Sequence, residues 1–421
     1  IFARMATPLF PIMDNLYLDT HHFFVPYRLL WDNFRKFCGE QTDPGDSIDF
    51  QIPILSDTSG TTLSSANQPL STDANRAQTL MNFMGVPSGV GPADVDISAL
   101  PFRAYSKIYA EWFRDQNLID TPLGATLTGD ASDNMASSNR HILQRRGKRH
   151  DYFSSALPWP QRGDAVNLPL GTVAPVVSDG SALELSNSTQ DSLLKMVSGN
   201  QNVQYDTTIT SNGAIFYNNQ GLEVDLTTAT AATINDIREA FQVQKLLERD
   251  ARAGTRYSEI VRNHFGVNFY DVSYRPEYLG GGSTPININP VVNQSGSSGE
   301  LGDLAAFATT VASNHGFTKS FVEHGIVMSL VSVRADLTYQ QGLNRFFSKS
   351  TRYDIYWPSL SHLGEQEVLS KELFCDGSAG DEDVFGYQER YAEYRYKPSM
   401  ITGKFQSAAT TSLDAWHMSQ E

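Results

Sequence analysis

The sequence is poor in cysteine, in basic residues and in long apolar runs. Only two cysteines occur in 421 residues, Cys38 and Cys375; they lack metal-ligand spacing and fit a reduced compartment without a disulfide framework. No apolar run approaches the ~20 residues that a membrane-spanning helix requires. There are 32 basic residues against 47 acidic ones, so the net charge of −15 argues against nucleic-acid binding over the whole surface but leaves room for one basic patch.

Charged residues of both signs are also scarce, at 19% of the chain, whereas an ordinary soluble domain has roughly 25%. Aromatic residues, in contrast, reach 11%. The cores of interfaces between subunits are poor in charge and rich in aromatic residues, so burial against partners would explain this composition. A large β core filled by aromatic side chains would explain it equally well, and composition leaves both explanations open.

The motifs of common catalytic and cofactor sites are missing. There is no GxxxxGK[ST], no GxGxxG after a strand, no HExxH and no GxSxG. His21 and His22 are neighbours in a predicted strand, so their side chains point to opposite faces and cannot bind one ion together. The acidic turn at 376–383 lacks the ligand pattern of a calcium loop, and a solvated turn is expected. We therefore predict that the protein is not an enzyme and has no catalytic residue, metal site or cofactor.

Hydrophobic periodicity predicts one strand and two helices with clear limits. Residues 16–25 alternate with a period of two, which is typical of a β-strand. Pro101 opens a stretch with aromatic residues at helical spacing that continues to residue 118, and proline suits the first turn of a helix. A second helix is expected to begin near Thr233 and to stop at Gly254.

Other segments are interpreted from turn residues and from the phase of apolar positions. Residues 28–37 have helical spacing. Residues 275–302, with a run of three glycines, are expected to form a turn-rich connection. A strand from Gly325 is predicted to contain a β-bulge because its apolar phase changes midway. Strands near both ends, separated by helices and long loops, favour a sandwich or a jelly roll.

Residues 165–230 differ in composition from the rest of the chain. They are rich in Ser, Thr, Asn and Gly, and they contain one cation, Lys195, against six acidic residues. Short strand-like pieces occur within them, which predicts some local packing. We interpret 165–230 as a surface insertion, and residues 1–164 and 231–421 as the two parts of the main body.

One segment is densely basic, and four of its cations are candidate DNA contacts. These are Arg145, Arg146, Lys148 and Arg149. Such a cluster would bind phosphates through charge without reading a base sequence. The following Tyr152 and Phe153 could stack on unpaired bases. Two other interpretations stay open: a solvated loop, or pairing with the acidic surface of a neighbouring subunit.

Long stretches of the sequence resemble the major capsid protein of microviruses, which are small tailless phages with single-stranded DNA genomes. The resemblance is carried in the family's order by ATPLFPIMDNLYLDTHHFFVPYRLLWDNF (6–34), PFRAYSKIYAEWFRDQNL (101–118), LPWPQRGDAV (157–166), REAFQVQKLLERDARAGTRYSEI (238–260), RPEYLGGGSTPININPVV (275–292) and GYQERYAEYRYKPSMITGKF (386–405). The most similar branch is that of the gokushoviruses. The matched stretches span nearly the whole chain outside 41–100 and 165–230.

The resemblance implies a mainly β fold: a single eight-stranded jelly roll with long loop and helix insertions. It implies a homo-oligomer of sixty copies, built through pentamers into a T=1 shell around a circular single-stranded DNA genome. Residues 165–230 would form protrusions at the threefold axes and face a bacterial surface receptor such as a glycan. The family also implies a small basic DNA-binding virion protein, which would neutralise DNA inside an acidic shell. The protein would assemble in the host cytoplasm and reside in the virion.

A second hypothesis comes from a different functional class. Jelly rolls also occur in proteins that bind or cleave carbohydrates. Hydrolysis would require two carboxylates placed on either side of an aromatic cleft. A sequence cannot show such spatial pairing, so a carbohydrate-binding or carbohydrate-cleaving protein remains the alternative at this point.

Overall fold

The fold is known from a computed structural model, which describes residues 1–5, 12–56, 79–87, 95–134, 141–166, 234–268, 273–292, 294 and 304–419, together with six short strands between 176 and 224. The chain divides into two compact units. The first comprises residues 1–160 and 249–421, and the second comprises residues 161–248.

The strands of the described residues, in chain order, are β1 (Phe2–Met5), β2 (Leu16–Pro26), β3 (Leu55–Ser56), β4 (Asp133–Asn134), β5 (Val176–Ser178), β6 (Leu185–Ser186), β7 (Leu194–Met196), β8 (Val203–Tyr205), β9 (Phe216–Tyr217), β10 (Leu222–Val224), β11 (Glu277–Pro285), β12 (Asn287–Val292), β13 (Leu304–Val311), β14 (Gly325–Ala335), β15 (Glu365–Leu369) and β16 (Val384–Glu389). The α-helices are α1 (Phe34–Phe37), α2 (Leu80–Phe83), α3 (Leu100–Ile108), α4 (Ile234–Ala253), α5 (Tyr257–Phe265) and α6 (Ser370–Leu373). Several short 3₁₀ turns connect them.

Strand β2 is the centre of the main sheet, whose order is β11-β2-β14. It pairs antiparallel with both neighbours, and all eleven of its residues are in register with β14. Phe23 and Val25 are buried on one face, while Leu16 and Leu18 are buried on the other. The strand predicted at 16–25 is therefore confirmed. Burial of both faces identifies β2 as an interior strand rather than a surface strand.

A second three-stranded antiparallel sheet has the order β1-β13-β12. On its middle strand, Ala306 and Ala308 are buried, whereas the intervening Phe307 is 45% exposed. This alternation is typical of a sheet with one covered face and one open face. The chain passes from β11 to β12 through Ile286, whose backbone N–H donates to the carbonyl of Leu16 at 2.8 Å. The two sheets are therefore directly connected.

The structure corrects the interpretation of residues 275–302 as a turn-rich connection, because 277–285 and 287–292 form β11 and β12; residues 293 and 295–302 lie outside the described residues. The run of three glycines lies inside β11, and a side chain on Gly281 would place its Cβ 2.0 Å from the carbonyl oxygen of Thr20. The glycines therefore permit the close approach of two backbones rather than a turn. The register shifts between Tyr278 and Gly280, where φ is +130°, so the bulge of this sheet lies in β11.

The bulge predicted in the strand after Gly325 is absent, since the β14 register with β2 is continuous. The change of apolar phase has another cause: both faces of β14 are apolar. Met328 and Leu330 pack against the core, whereas Val327 and Val331 occupy the other face. A strand with two apolar faces carries apolar residues in both phases and needs no extra residue.

Helix α3 packs against the main sheet and completes the principal core. The core cluster consists of Phe23, Val25, Leu30, Trp31, Leu100, Ala104 and Ile108. Pro101 lies in the first turn, as predicted, and the helix continues as a π-helical turn over Tyr109–Phe113. In contrast, the helical spacing at 28–37 yields only a 3₁₀ turn and the single turn of α1.

Helix α4 confirms the second predicted helix. It ends at Ala253, and Gly254 follows with φ of +88°, the left-handed conformation that glycine adopts without strain. Thr233, the predicted N-terminal cap, lies outside the described residues.

The insertion predicted at 165–230 lies largely outside the described residues, apart from its six short strands. These strands pair as three antiparallel hairpin-like couples, β5 with β10, β6 with β9, and β7 with β8. Strands β8 and β10 fall within the strand-like pieces of sequence at 202–210 and 222–227, and β5 overlaps a third piece at 172–177. The pairing is nested: β6 and β9 lie between β5 and β10 in sequence, and β7 and β8 lie between β6 and β9.

A buried ion pair lies beneath α3. Arg103, which is 1% exposed, donates to both oxygens of Asp133 at 2.9 and 2.7 Å. It also donates to the carbonyl of Leu30 at 3.0 Å. His141 Nε2 lies 2.9 Å from Asp133, and His141 Nδ1 lies 3.3 Å from Ser106 Oγ. This Ser-His-Asp arrangement has no access to a substrate because all three residues are buried, so its role is structural.

Loss of one partner of this ion pair should destabilise the subunit strongly. In Arg103→Met, Asp133 keeps its charge in a buried site without its bidentate partner, and we expect the free energy of unfolding to fall by about 3–5 kcal/mol. Denaturant unfolding of the purified chain measures this. Arg35→Met is the matched control, because Arg35 lies on the surface beside Glu40; it should leave the unfolding midpoint unchanged. A wild-type midpoint in Arg103→Met would contradict the assignment.

Candidate nucleic-acid and assembly surfaces

The basic segment begins at the buried cluster and then runs across the main sheet. His141 is 3% exposed and has a positive φ of 51°. Three residues later, the backbone N–H of Gln144 donates to the hydroxyl oxygen of Tyr105 on α3 at 3.0 Å. The start of the segment is therefore held by two contacts with the core.

Arg146 is anchored to the sheet and does not point freely into solvent. Its guanidinium donates to Asp19 at 2.9 Å and to Ser332 at 2.7 Å, and it lies 5.3 Å from the ring centroid of Phe113. Arg334 on β14 contacts the same Asp19 oxygen at 2.8 Å. One carboxylate inside the sheet thus holds two guanidinium groups.

The electrostatics of this cluster follow from its partial burial. Burial alone would raise the pKa of Asp19, but hydrogen bonds from Ser283 and Arg334 and the charges of Arg334 and Arg146 lower it below the ordinary value. Burial, together with the charge of Arg146, lowers the pKa of the adjacent His21 to about 4. At neutral pH the cluster therefore combines an ionised Asp19, two cations and a neutral His21.

Arg149 is anchored in a similar way at the end of the same sheet. It forms an ion pair with Asp336 at 3.0 Å, and its guanidinium lies 4.0 Å from the ring centroid of Tyr17. A stacked and paired arginine is fixed in orientation and contributes to packing as well as to charge. Arg149 thus attaches the basic segment to the start of β2, at Tyr17.

The remaining two candidates, Arg145 and Lys148, are exposed. The four predicted residues therefore lie together in the structure, but they divide into two anchors and two outward-facing cations. Sequence reasoning missed the partners Asp19 and Arg334. The sequence does contain a sign of such an ion pair, because an aspartate within the apolar strand 16–25 must pair with a cation if it is buried.

The base-stacking role predicted for Tyr152 and Phe153 is wrong for the folded subunit. Both side chains are 6% exposed and pack with Tyr339, Val368 and Ala392 in a separate core cluster. Burial raises the pKa of the Tyr152 hydroxyl, since the charged form would lose its hydration. Rings packed in this way cannot stack on nucleic-acid bases.

Metal and redox features are limited. Within the described ranges, no group of three or more His, Cys, Asp or Glu side chains is arranged to hold a metal ion. Cys38 and Cys375 are free thiols, the first exposed and the second half-buried. No helix in the described part of the chain is long and apolar enough to cross a membrane.

Comparison with known proteins decides the family. The model of the capsid protein (F protein) family matches residues 1–421, which is the entire chain. The chain belongs to this capsid protein family. It is 43% identical to capsid protein VP1 of Bdellovibrio phage phiMH2K, with 100% of this chain and 78% of the relative covered. It is 38% identical to capsid protein VP1 of Chlamydia phage 1, covering 99% and 80%, and 34% identical to that of Spiroplasma virus 4, covering 98% and 77%.

Family membership confirms the resemblance to microvirus capsid proteins. The chain is a major capsid protein of phage virions, it assembles in many copies, and it is a structural protein rather than an enzyme. The carbohydrate-cleaving alternative is therefore set aside. The several antiparallel sheets fit the capsid family.

Proposed function

We propose that this capsid protein forms a T=1 icosahedral shell of sixty copies, assembled through pentamers, around a circular single-stranded DNA genome. The observation that carries the proposal is the match of the whole chain to a phage capsid family. A closed shell is also one of the symmetric assemblies in which identical subunits bury exposed apolar surface without leaving an open end.

The subunit of this shell is proposed to be an eight-stranded jelly roll. Two three-stranded antiparallel sheets are described, which supply six strands of the eight. Strand β14 supports the presence of a further strand. Among the described residues no strand pairs with its outer edge, and its Val327, Val331 and Val333 are 46–55% exposed. The unpaired backbone of this edge can accept a further strand, and a second sheet packed on the exposed face would cover the three valines.

The copy number is tested by the mass of the purified particle. The mass of the protein shell divided by the mass of one subunit should give sixty, because each icosahedral asymmetric unit then contains one chain. Native mass spectrometry of emptied particles measures the ratio directly. A ratio of 180 would contradict the T=1 shell. Assembly into an open filament would contradict a closed shell of any size.

Contact with DNA is proposed to depend on Arg145 and Lys148. Both side chains are exposed, and the other two candidates, Arg146 and Arg149, are less exposed and pair with Asp19 and Asp336. With a net charge of −15, the subunit supplies few cations for the genome. We therefore retain the small basic virion protein as a proposed partner that neutralises most of the DNA charge.

Neutralising the two outward cations should weaken the binding of single-stranded DNA without unfolding the subunit. A plot of the logarithm of the binding constant against the logarithm of the salt concentration has a negative slope. In Arg145→Ser/Lys148→Ser this slope should become shallower by about 1.4, because each lost phosphate contact removes about 0.7. Binding of an oligonucleotide across a salt series measures the slope, and the genome retained per particle provides a second readout.

The matched control is Arg35→Ser/Lys36→Ser, which removes two cations from another exposed site. It should leave the salt slope at the wild-type value. If the Arg145/Lys148 variant also keeps the wild-type slope, the segment contacts solvent or a protein neighbour and not DNA.

The insertion at 165–230 is proposed to protrude at the threefold axes and to attach the virion to a bacterial surface receptor such as a glycan. Its acidic and polar composition suits a solvated projection. The pairing of β5 with β10 brings residues 176 and 224 opposite each other, so the chain can be rejoined at its base.

Removal of residues 170–228 should abolish attachment and spare the shell. Both strands of the β5–β10 couple are deleted together, so neither is left without its partner. Particle yield and adsorption to host cells are the two measurements. Wild-type adsorption by intact particles would exclude the insertion as the receptor site.

A further inference from the structure

The chain after β14 carries large aromatic side chains that the subunit leaves exposed. We call them the aromatic surface: Phe346, Phe347, Tyr353, Tyr356, Trp357, Tyr394 and Tyr396. Their exposed fractions run from 39% for Trp357 to 81% for Phe347. The ring centroids of Phe346 and Tyr394 lie 5.2 Å apart, and those of Tyr356 and Tyr394 lie 6.1 Å apart. The rings of Phe346, Tyr356 and Tyr394 thus form a connected patch, and the other four lie within three residues of them in sequence. A connected patch marks an interaction site more often than scattered exposed residues do.

Local hydrogen bonds hold the loop of the aromatic surface in place. The backbone N–H and hydroxyl of Thr351 donate to the carboxylate of Asp354 at 2.7 and 2.8 Å. The indole N–H of Trp357 donates to the carbonyl of Arg352 at 3.0 Å. Rings that are already oriented lose little conformational entropy when a partner binds, so the surface is preorganised for contact.

Two of the cations among these rings pair with carboxylates of the same subunit, whereas Arg352 lies over the ring of Trp357, 5.0 Å from its centroid. Lys349 lies 2.9 Å from Glu393, and its ammonium is 4.1 Å from the ring centroid of Tyr394. Arg395 forms an ion pair with Glu389. Paired cations attract phosphates less strongly than free ones, because phosphate would have to displace the carboxylate. Seven exposed aromatic rings, with two of the nearby cations already paired, favour a protein partner over DNA.

The size of the aromatic surface also matches a protein partner. Seven aromatic side chains, each with ~200 Å² of area and about half of it exposed, offer roughly 750 Å². A standard protein–protein interface buries about 800 Å² on each side. A contact of this size is larger than a small ligand requires and comparable to what two folded subunits bury.

We propose that the aromatic surface is a contact between two copies of this capsid protein in the shell. The chain belongs to a family that assembles in many copies, so a second copy is always present at high local concentration. The proposal rests on that assembly and on neither the number of copies nor the DNA contact. The neighbouring copy covers Phe347, the most exposed ring of the set, and thereby removes the largest apolar area from water.

Thiol accessibility tests the contact directly. Phe347→Cys is made in a Cys38→Ser/Cys375→Ser background, and maleimide labelling is followed in unassembled subunits and in purified particles. Labelling should be slower in particles by about tenfold or more, since a covered thiol reacts slowly. Val322→Cys in the same background provides the labelling rate of a fully exposed site in unassembled subunits, because Val322 is 102% exposed. Equal labelling of Phe347→Cys in subunits and particles would overturn the proposal.

Two further outcomes separate a second copy from other occupants. Protection that persists in shells emptied of DNA and of any other virion protein supports the contact between copies. Protection that disappears with the DNA, or with a second virion protein, overturns it in favour of that occupant. A copy number other than sixty, with protection intact, would contradict the T=1 proposal and leave this contact standing.

An assembly measurement provides an independent test. Phe347→Ser/Tyr353→Ser should raise the subunit concentration needed for particle formation by at least about tenfold, because exposed aromatic anchors dominate interface energetics. The thermal midpoint of the unassembled variant should equal that of the wild type, since both rings are mostly exposed in the subunit. Val322→Ser is the surface control. Assembly at the wild-type concentration would overturn the proposal.

Discussion

Strand β2 is paired along both edges, and this double pairing fixes the place of most other elements of the main body. Its neighbours β11 and β14 come from the second half of the chain, so all of residues 27–276 lie between two adjacent strands. The entropic cost of closing such a loop grows only slowly with its length. A long insertion is therefore compatible with an unchanged sheet. This explains how one chain can contain both the β11-β2-β14 sheet and a compositionally distinct segment at 165–230.

The same strand determines how the basic segment is used. Asp19 places a negative charge inside the sheet, and Arg146 and Arg334 compensate it. A cluster that looks uniform in sequence is thus divided by two carboxylates, because Asp19 holds Arg146 and Asp336 holds Arg149, whereas Arg145 and Lys148 are exposed. The anchors align the segment along the sheet, and the exposed Arg145 and Lys148 are the residues proposed to contact DNA. An acidic subunit with two outward cations in this segment fits an arrangement in which a separate basic protein neutralises most of the genome.

Periodic elements were predictable from sequence because their signal is local. The strand at 16–25 and the helices that begin near residues 101 and 234 follow from spacing and from their Pro and Gly boundaries. Features that depend on distant partners were not predictable. The three glycines of β11 suggested a turn, but they are required because Gly281 approaches the backbone of Thr20. Tyr152 and Phe153 suggested a stacking platform, but Tyr339 and Val368, far along the chain, bury them. Likewise, the basic cluster was found, but its division into two roles was not.

The central claim is that the subunit is a jelly roll organised around β2 and completed within the shell. A cryo-electron microscopy reconstruction of the purified particle tests it most directly. The account predicts β2 in the interior of a four-stranded sheet, flanked by β11 and β14, with an added strand on the outer edge of β14 and a second four-stranded sheet packed against it. A shell in which β2 forms a sheet edge, or in which the outer edge of β14 stays uncovered, would contradict the account.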